Sequence, residues 1–260
     1  MAIENGEWIM RGLEWDDPNR IKTWAELADW VDTVGFLPLF KNEVDDFSVE
    51  EHTASLSWWS GDEQHDPWEW RRLIARSGRV AYGKFFNQKA GFISQAWFPH
   101  FANWRRDGYD FDSLWDEELA SLRQKRIMDQ FGNHRELFSF ELKRLAGFDK
   151  GVEKNFEGTV AGLQMRGYLL IRDFRRRINK KGQAYGWHIA VYSTPEAVWG
   201  YALYNATKYV CHWEPTFAAY LAKKRAEGKH YNVALSHAAK KLVRLIFAME
   251  KSRAPYHLAA

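Results

Sequence analysis

The stretch that decides the fold is residues 139–193, SFELKRLAGFDKGVEKNFEGTVAGLQMRGYLLIRDFRRRINKKGQAYGWHIAVYS. Its first part holds two helix-like runs, SFELKRLAG and NFEGTVAGLQM. Its second part holds two β-like runs, GYLLIRDF and YGWHIAVYS, joined by RRRINKKGQA. Two helices followed by a two-stranded hairpin is the element order of a winged helix, so we predict that module here.

The predicted hairpin, or wing, is strongly cationic. Six basic side chains lie within ten residues: Arg172, Arg175, Arg176, Arg177, Lys180 and Lys181. Asp173 is the only acid among them, and Gly182 suits a turn residue with positive φ. We expect these cations to contact the phosphates of duplex DNA, which position a protein without reading sequence. The alternative is a solvated hairpin whose charges only maintain solubility.

The helix before the wing would be the recognition helix. Four of its polar residues are candidates for contacts to base edges: Lys154, Asn155, Gln164 and Arg166. An ordinary surface role is the alternative for each of them.

The rest of the chain indicates two regions. Helical patterns at residues 18–34, 67–76 and 110–131 and a hairpin over 79–97 precede the wing, and the composition shifts near 200–206 towards Ala and Lys. We predict an α+β fold, mainly helical with winged-helix modules and short β-hairpins, over residues 1–203. A C-terminal helical hairpin follows over 204–260, and the apolar side of residues 233–249 packs on the body or mediates self-association.

Charge and composition restrict the location of a DNA surface. Residues 1–70 hold 4 basic and 17 acidic side chains, a net charge of −13, and the remainder is positive, so the surface should follow residue 70.

Of the 14 Trp, 13 lie before residue 200; we expect a core of large aromatics, and the alternative is that one or two stack on bases. Cys211 is the only cysteine, and neither a signal-like nor a membrane-spanning run occurs, so we expect a cytoplasmic protein.

Residues 1–203 resemble the AlkZ-like DNA glycosylases, and more closely a bacterial AlkZ-related group. The resemblance rests on VGFLPLFKN, on ARSGRVAYGKFFNQKAGFISQAWFPHFANWRR and on the late winged helix ending in YSTPE. It implies tandem winged helices, DNA as partner, excision of alkylated or crosslinked bases in DNA repair, and no metal.

The chain departs from that family at its catalytic element. Relatives carry a Gln-x-Gln or Gln-x-Asp pair that positions water at the sugar, and the alignment places Pro38 and Phe40 there. Neither side chain can hold a water, so the catalytic residues are unknown. Gln164-Met165-Arg166 also begins with a glutamine, but it lies in the helix before the wing, and its third residue is a cation where relatives have an amide or an acid.

Residues 204–256 resemble the C-terminal tail of bridge-RNA-guided insertion-sequence transposases. The specific part is KKRAEGKHYNVALSHAAKKLVRLIFAMEK, residues 223–251. The acidic catalytic domain and nucleophilic serine of those enzymes lie upstream of this tail, so the resemblance implies a chimera rather than a transposase.

Three functions remain open at this stage. We expect a winged-helix DNA-binding protein without base excision, and the alternatives are an active glycosylase and an interaction module or decayed fusion without a nucleic-acid role. No cofactor or metal is expected, because Cys211, His212, His230 and His237 match no common zinc spacing.

Overall fold

The computed structural model describes residues 2–4, 7–149, 153–200, 210–229 and 231–253. The strands are β1 (Ala2–Glu4), β2 (Glu7–Ile9), β3 (Phe36–Pro38), β4 (Val80–Phe86), β5 (Lys89–Ser94), β6 (Glu136–Phe138), β7 (Leu170–Ile178) and β8 (Ala184–Ser193). The helices are α1 (Trp24–Val34), α2 (Pro67–Ser77), α3 (Phe98–Arg105), α4 (Phe111–Asp116), α5 (Leu122–Met128), α6 (Ser139–Leu145), α7 (Phe156–Met165), α8 (Pro195–Trp199), α9 (Pro215–Ala226) and α10 (Tyr231–Ser252).

One antiparallel sheet organises the body. Its six strands lie in the order β3-β5-β4-β7-β8-β6, and β1 with β2 forms a separate small hairpin. The two predicted hairpins join where Tyr82 of β4 pairs with Ile171 of β7. The chain is therefore an α+β protein built on a six-stranded sheet, and the prediction of a mainly helical fold with winged-helix modules and short β-hairpins is wrong.

Capping residues define where α1 and α2, the two helices that precede the β4–β5 hairpin, begin. The Thr23 hydroxyl accepts a hydrogen bond from the Glu26 backbone N–H (3.2 Å), so α1 begins at Trp24, six residues later than the pattern predicts. Asp66 caps α2 and Pro67 occupies its first position, so the helix begins where the predicted pattern at residues 67–76 begins. Gly78, with φ of 73°, ends α2 just before β4.

The C-terminal helices have a small core of their own. Cys211, Phe217, Leu235, Ala238 and Leu242 are buried together. The predicted boundary near 200–206 lies outside the described residues, apart from Gly200 at its edge. No helix in the described part of the chain is both long and apolar enough to cross a membrane.

Candidate nucleic-acid interface

The wing is the hairpin of β7 and β8. Its tip is ordered by Asn179, whose side-chain oxygen accepts hydrogen bonds from the backbone N–H groups of Lys181 (2.9 Å) and Gln183 (3.0 Å). Gly182 has φ of 78°, as the sequence predicts for a turn residue. These hydrogen bonds fix the backbone of the tip.

Two of the six predicted wing cations are committed to the body. The guanidinium of Arg172 donates to the carbonyls of Ala75 (2.5 Å) and Arg76 (2.6 Å) at the C-terminal end of α2, where a cation is favoured. Arg175 donates to Glu136 (2.6 Å), and its guanidinium also lies 3.6 Å from Asp173. Both side chains serve primarily to fasten the base of the wing.

The other four cations are exposed along the outer half of the wing. These are Arg176, Arg177, Lys180 and Lys181. Arg176 donates to the carbonyl of Gly186 (2.9 Å), and Arg177 lies over the Phe140 ring (4.3 Å). Among the described residues, no acidic side chain forms an ion pair with any of the four, so their charge faces solvent.

His188 adds no charge to the wing near neutral pH. Burial lowers the pKa of its imidazole, and the positive charge of Arg72 lowers it further. Its ordinary value is about 6.5, so the neutral form predominates at pH 7. The field of the wing therefore comes from its arginines and lysines.

The predicted recognition helix is only partly available. Gln164 is 1% exposed, and its side-chain oxygen accepts from the backbone N–H of Lys84 (3.0 Å), which fastens α7 to β4. Arg166 is half-buried, with its guanidinium 5.6 Å from the Tyr168 ring centroid. Lys154 and Asn155 are exposed at the start of α7. Gln164 is thus a packing residue, and the exposed polar residues of this helix lie at its start.

An open groove runs between α5 and the start of α7. It has a volume of about 440 Å³. The Glu153 carboxylate accepts from Arg123 (2.6 Å) and Arg126 (3.4 Å) at this end of α7. The hydrogen bond from Arg123 lowers the pKa of Glu153, so the acid stays ionised and offsets one of the two positive charges. The wing concentrates more exposed positive charge than the groove, because its four outer cations form no ion pair among the described residues.

Large apolar side chains at the wing surface were missed by the cation-based prediction. Trp187 is 91% exposed, Ile178 63% and Tyr185 46%. A signal was present in the sequence, because Gly186 inside a strand pattern often marks a β-bulge that redirects its neighbours. Rings interleaved with cations are the combination that binds nucleic acid by stacking as well as by charge.

Apolar groups surround Pro38 and Phe40, the two residues predicted to stand in place of a catalytic pair. Pro38 is buried in β3 opposite Gly91 of β5. Phe40 packs against Trp58 (ring centroids 5.5 Å apart) and Trp68 (6.5 Å). The guanidinium of Arg71 covers the Trp68 ring at 3.5 Å, which extends this aromatic cluster towards β7.

Two carboxylates that follow β3 in the chain, Glu50 and Glu51, are structural. Glu50 is 0% exposed, and its two oxygens accept from the backbone N–H groups of Arg11 (3.0 Å) and Lys41 (2.9 Å). Glu51 accepts from Lys41 and Ser48 (each 2.6 Å). Burial opposes ionisation of Glu51, but these hydrogen bonds lower its pKa overall. Both acids hold the loop after β3 in place.

No metal centre is formed in the described part of the chain, where no group of three or more His, Cys, Asp or Glu side chains could hold an ion. Cys211 is buried, and His230 of the rejected zinc pattern lies outside the described residues.

The fold and this surface define an α+β protein that presents a cationic, aromatic hairpin to solvent. The model of the AlkZ-related family matches residues 21–210, so the chain belongs to that family and is related to DNA glycosylases. The chain matches no curated protein and no solved structure.

Proposed function

We propose that this protein binds duplex DNA through the wing and the start of α7 and does not excise bases. The observation that carries the proposal is the set of four exposed wing cations without acidic partners among the described residues. Lys154 and Asn155, exposed at the start of α7, are the further polar residues that we assign to the interface. Family membership supports DNA as the polyanion that these charges meet.

A salt titration of duplex binding tests the proposal. Four phosphate contacts give a slope of about −3 to −4 in a plot of log K against log salt concentration, measured by fluorescence anisotropy. Replacing Lys180→Ala and Lys181→Ala together should reduce the magnitude of the slope by about two. No binding at low salt, or binding that ignores salt, would favour an interaction module without a nucleic-acid role.

The β4–β5 hairpin provides a matched control with the same loss of charge. Lys84 and Lys89 are exposed on β4 and β5. Because β4 and β7 are antiparallel, the turn after β4 lies at the opposite end of the sheet from the wing tip. The variant with Lys84→Ala and Lys89→Ala should keep the slope of the unmodified protein. An equal loss in both double variants would show diffuse charge attraction instead of a wing contact.

We expect no excision because Phe40, which with Pro38 is predicted to replace the catalytic pair, packs among tryptophans, and such a ring cannot orient a water at a sugar. Purified protein in molar excess over alkylated or crosslinked duplex should release no base. Release of a base would establish the alternative, an active glycosylase with a catalytic group elsewhere.

We further propose self-association through the exposed end of α10. Leu235, Ala238 and Leu242 are buried within the chain, whereas Ile246 is 43% and Phe247 65% exposed. Light scattering should show Phe247→Asp to be more monomeric than the unmodified protein. Leu56→Asp, at a residue that is 80% exposed far from α10 in sequence, is the control. Monomers at all concentrations would contradict the proposal.

A further inference from the structure

The register between β7 and β8, the two strands of the wing, shifts near its middle. Arg175 pairs with Ile189, and the next pair towards the tip is Arg177 with Tyr185. Strand β8 therefore advances four residues while β7 advances two, which is a bulge. Gly186 lies in it with φ of 74°, and the Arg176 guanidinium holds the Gly186 carbonyl at 2.9 Å.

The bulge presents Trp187 to solvent. Its side chain is 91% exposed, whereas Trp70 is 1% exposed and Trp58 6%. In the part of the chain that the structure describes, no aromatic ring or cation is in ring contact with Trp187. A tryptophan left in water forgoes the large favourable energy of burying its ring, so a partner that covers it would bind with added affinity.

The surroundings of Trp187 indicate what that partner is. Arg176, Arg177, Lys180 and Lys181 flank it on the same hairpin, so an approaching surface must be anionic and also offer a flat apolar face. Nucleobases with their phosphates combine the two. An intact duplex shows only base edges in its grooves, whereas an unpaired or displaced base offers its π-face.

We infer that Trp187 stacks on an unpaired or displaced base, so that the wing prefers locally distorted duplex over intact duplex. This inference rests on the proposed function and names its substrate class. The cations supply affinity for either form of duplex, and the ring supplies the difference between them. Stacking of a base on an aromatic side chain corresponds to a preference of about tenfold.

The test compares three DNAs of one sequence by anisotropy: an intact duplex, a duplex with one unpaired 2-aminopurine, and a single strand. Unmodified protein should bind the distorted duplex about tenfold more tightly than the intact one. Trp187→Ala should abolish this preference and leave intact-duplex affinity within about twofold. Trp187→Phe should retain most of it, since a phenyl ring also stacks.

A second tryptophan and a second readout control the result. Trp104, on α3, is 71% exposed, and Trp104→Ala should leave the preference unchanged. At saturation, unmodified protein should quench the 2-aminopurine fluorescence and Trp187→Ala should not. An undiminished preference in Trp187→Ala, equal weakening of both duplexes, or no preference in the unmodified protein would overturn the inference. Salt-sensitive binding of the intact duplex would still uphold the proposed function in those cases, and its absence would remove both.

Discussion

Gln164 shows how a single polar residue can be assigned to the wrong surface. Its amide attracted attention because it lies in the helix before the wing, yet it faces the sheet. Phe156, Val160 and Leu163 are buried on α7, and Gln164 follows Val160 by four residues, which places both on one face. The helical period therefore contained the answer. What it could not show was the partner, the backbone N–H of Lys84, which is 80 residues away.

Removal of this amide should lower stability without weakening DNA binding. Gln164→Ala leaves the Lys84 N–H without its acceptor, at a cost of about 1–3 kcal/mol in the free energy of unfolding. Urea denaturation measures the cost, and Gln95→Ala at an exposed position should change it by less than about 0.5 kcal/mol. A stable variant that lost DNA affinity would restore Gln164 as a base-reading residue.

The reactivity of the Cys211 thiol tests whether the C-terminal helical core is closed in solution. Burial raises the pKa of its thiol, and the negative charge of Glu214 raises it further. Since the thiolate is the reactive form, a thiol reagent at about pH 8 should modify the folded protein more slowly than a model thiol. The difference should vanish in denaturing urea. Equal rates before and after unfolding would show that this helical core is open in solution.

At the scale of elements, local patterns predicted the hairpins but not the sheet that contains them. The sequence shows the hairpin over 79–97 and the wing as β-like runs joined by turn residues. Their union depends on the pairing of Tyr82 with Ile171, a contact between residues far apart in sequence that no local period encodes. The short strands β3 and β6 complete the two edges. Both are three residues long, below the length at which alternation can be recognised.

The bulge in β8 should affect both the stability of the wing and the direction of Trp187. Gly186→Ala meets no atom within 4 Å, but φ of 74° strains any residue with a Cβ, so stability should fall by about 1 kcal/mol. A shifted bulge would also redirect Trp187 and reduce the preference for distorted duplex. Gly132→Ala is the control, because it has equally open surroundings and no positive φ. Thermal unfolding and anisotropy together measure both effects, and an unchanged preference after a loss of stability would separate the bulge from recognition.

Charge and family membership divide the whole molecule at different places, near residue 70 and at residue 210. The acidic first 70 residues are followed by a positive remainder, and the wing lies in that remainder. The family match ends at residue 210, whereas the C-terminal core is made of residues from 211 onwards. That division supports our proposal that the tail, with its resemblance to transposase ends, is a separate addition. The sequence could not show that this tail contacts the body. Lys240 of α10 lies beside Gly108, with its Nζ 3.4 Å from the position that a Cβ on Gly108 would occupy.

Deleting the tail should therefore spare the DNA-binding surface. Among the described residues, the buried clusters of the body contain none beyond Trp199, so a chain ending at residue 203 should fold and keep the urea midpoint of the body transition. Residues 204–260 carry 10 basic and 3 acidic side chains, a net charge of +7, and their loss weakens long-range attraction to DNA. If the phosphate contacts are those of the wing, the slope of log K against log salt concentration should change by less than about one. A decrease of more than about two in its magnitude would instead place tail cations such as Lys223, Lys240 and Arg244 on the phosphates.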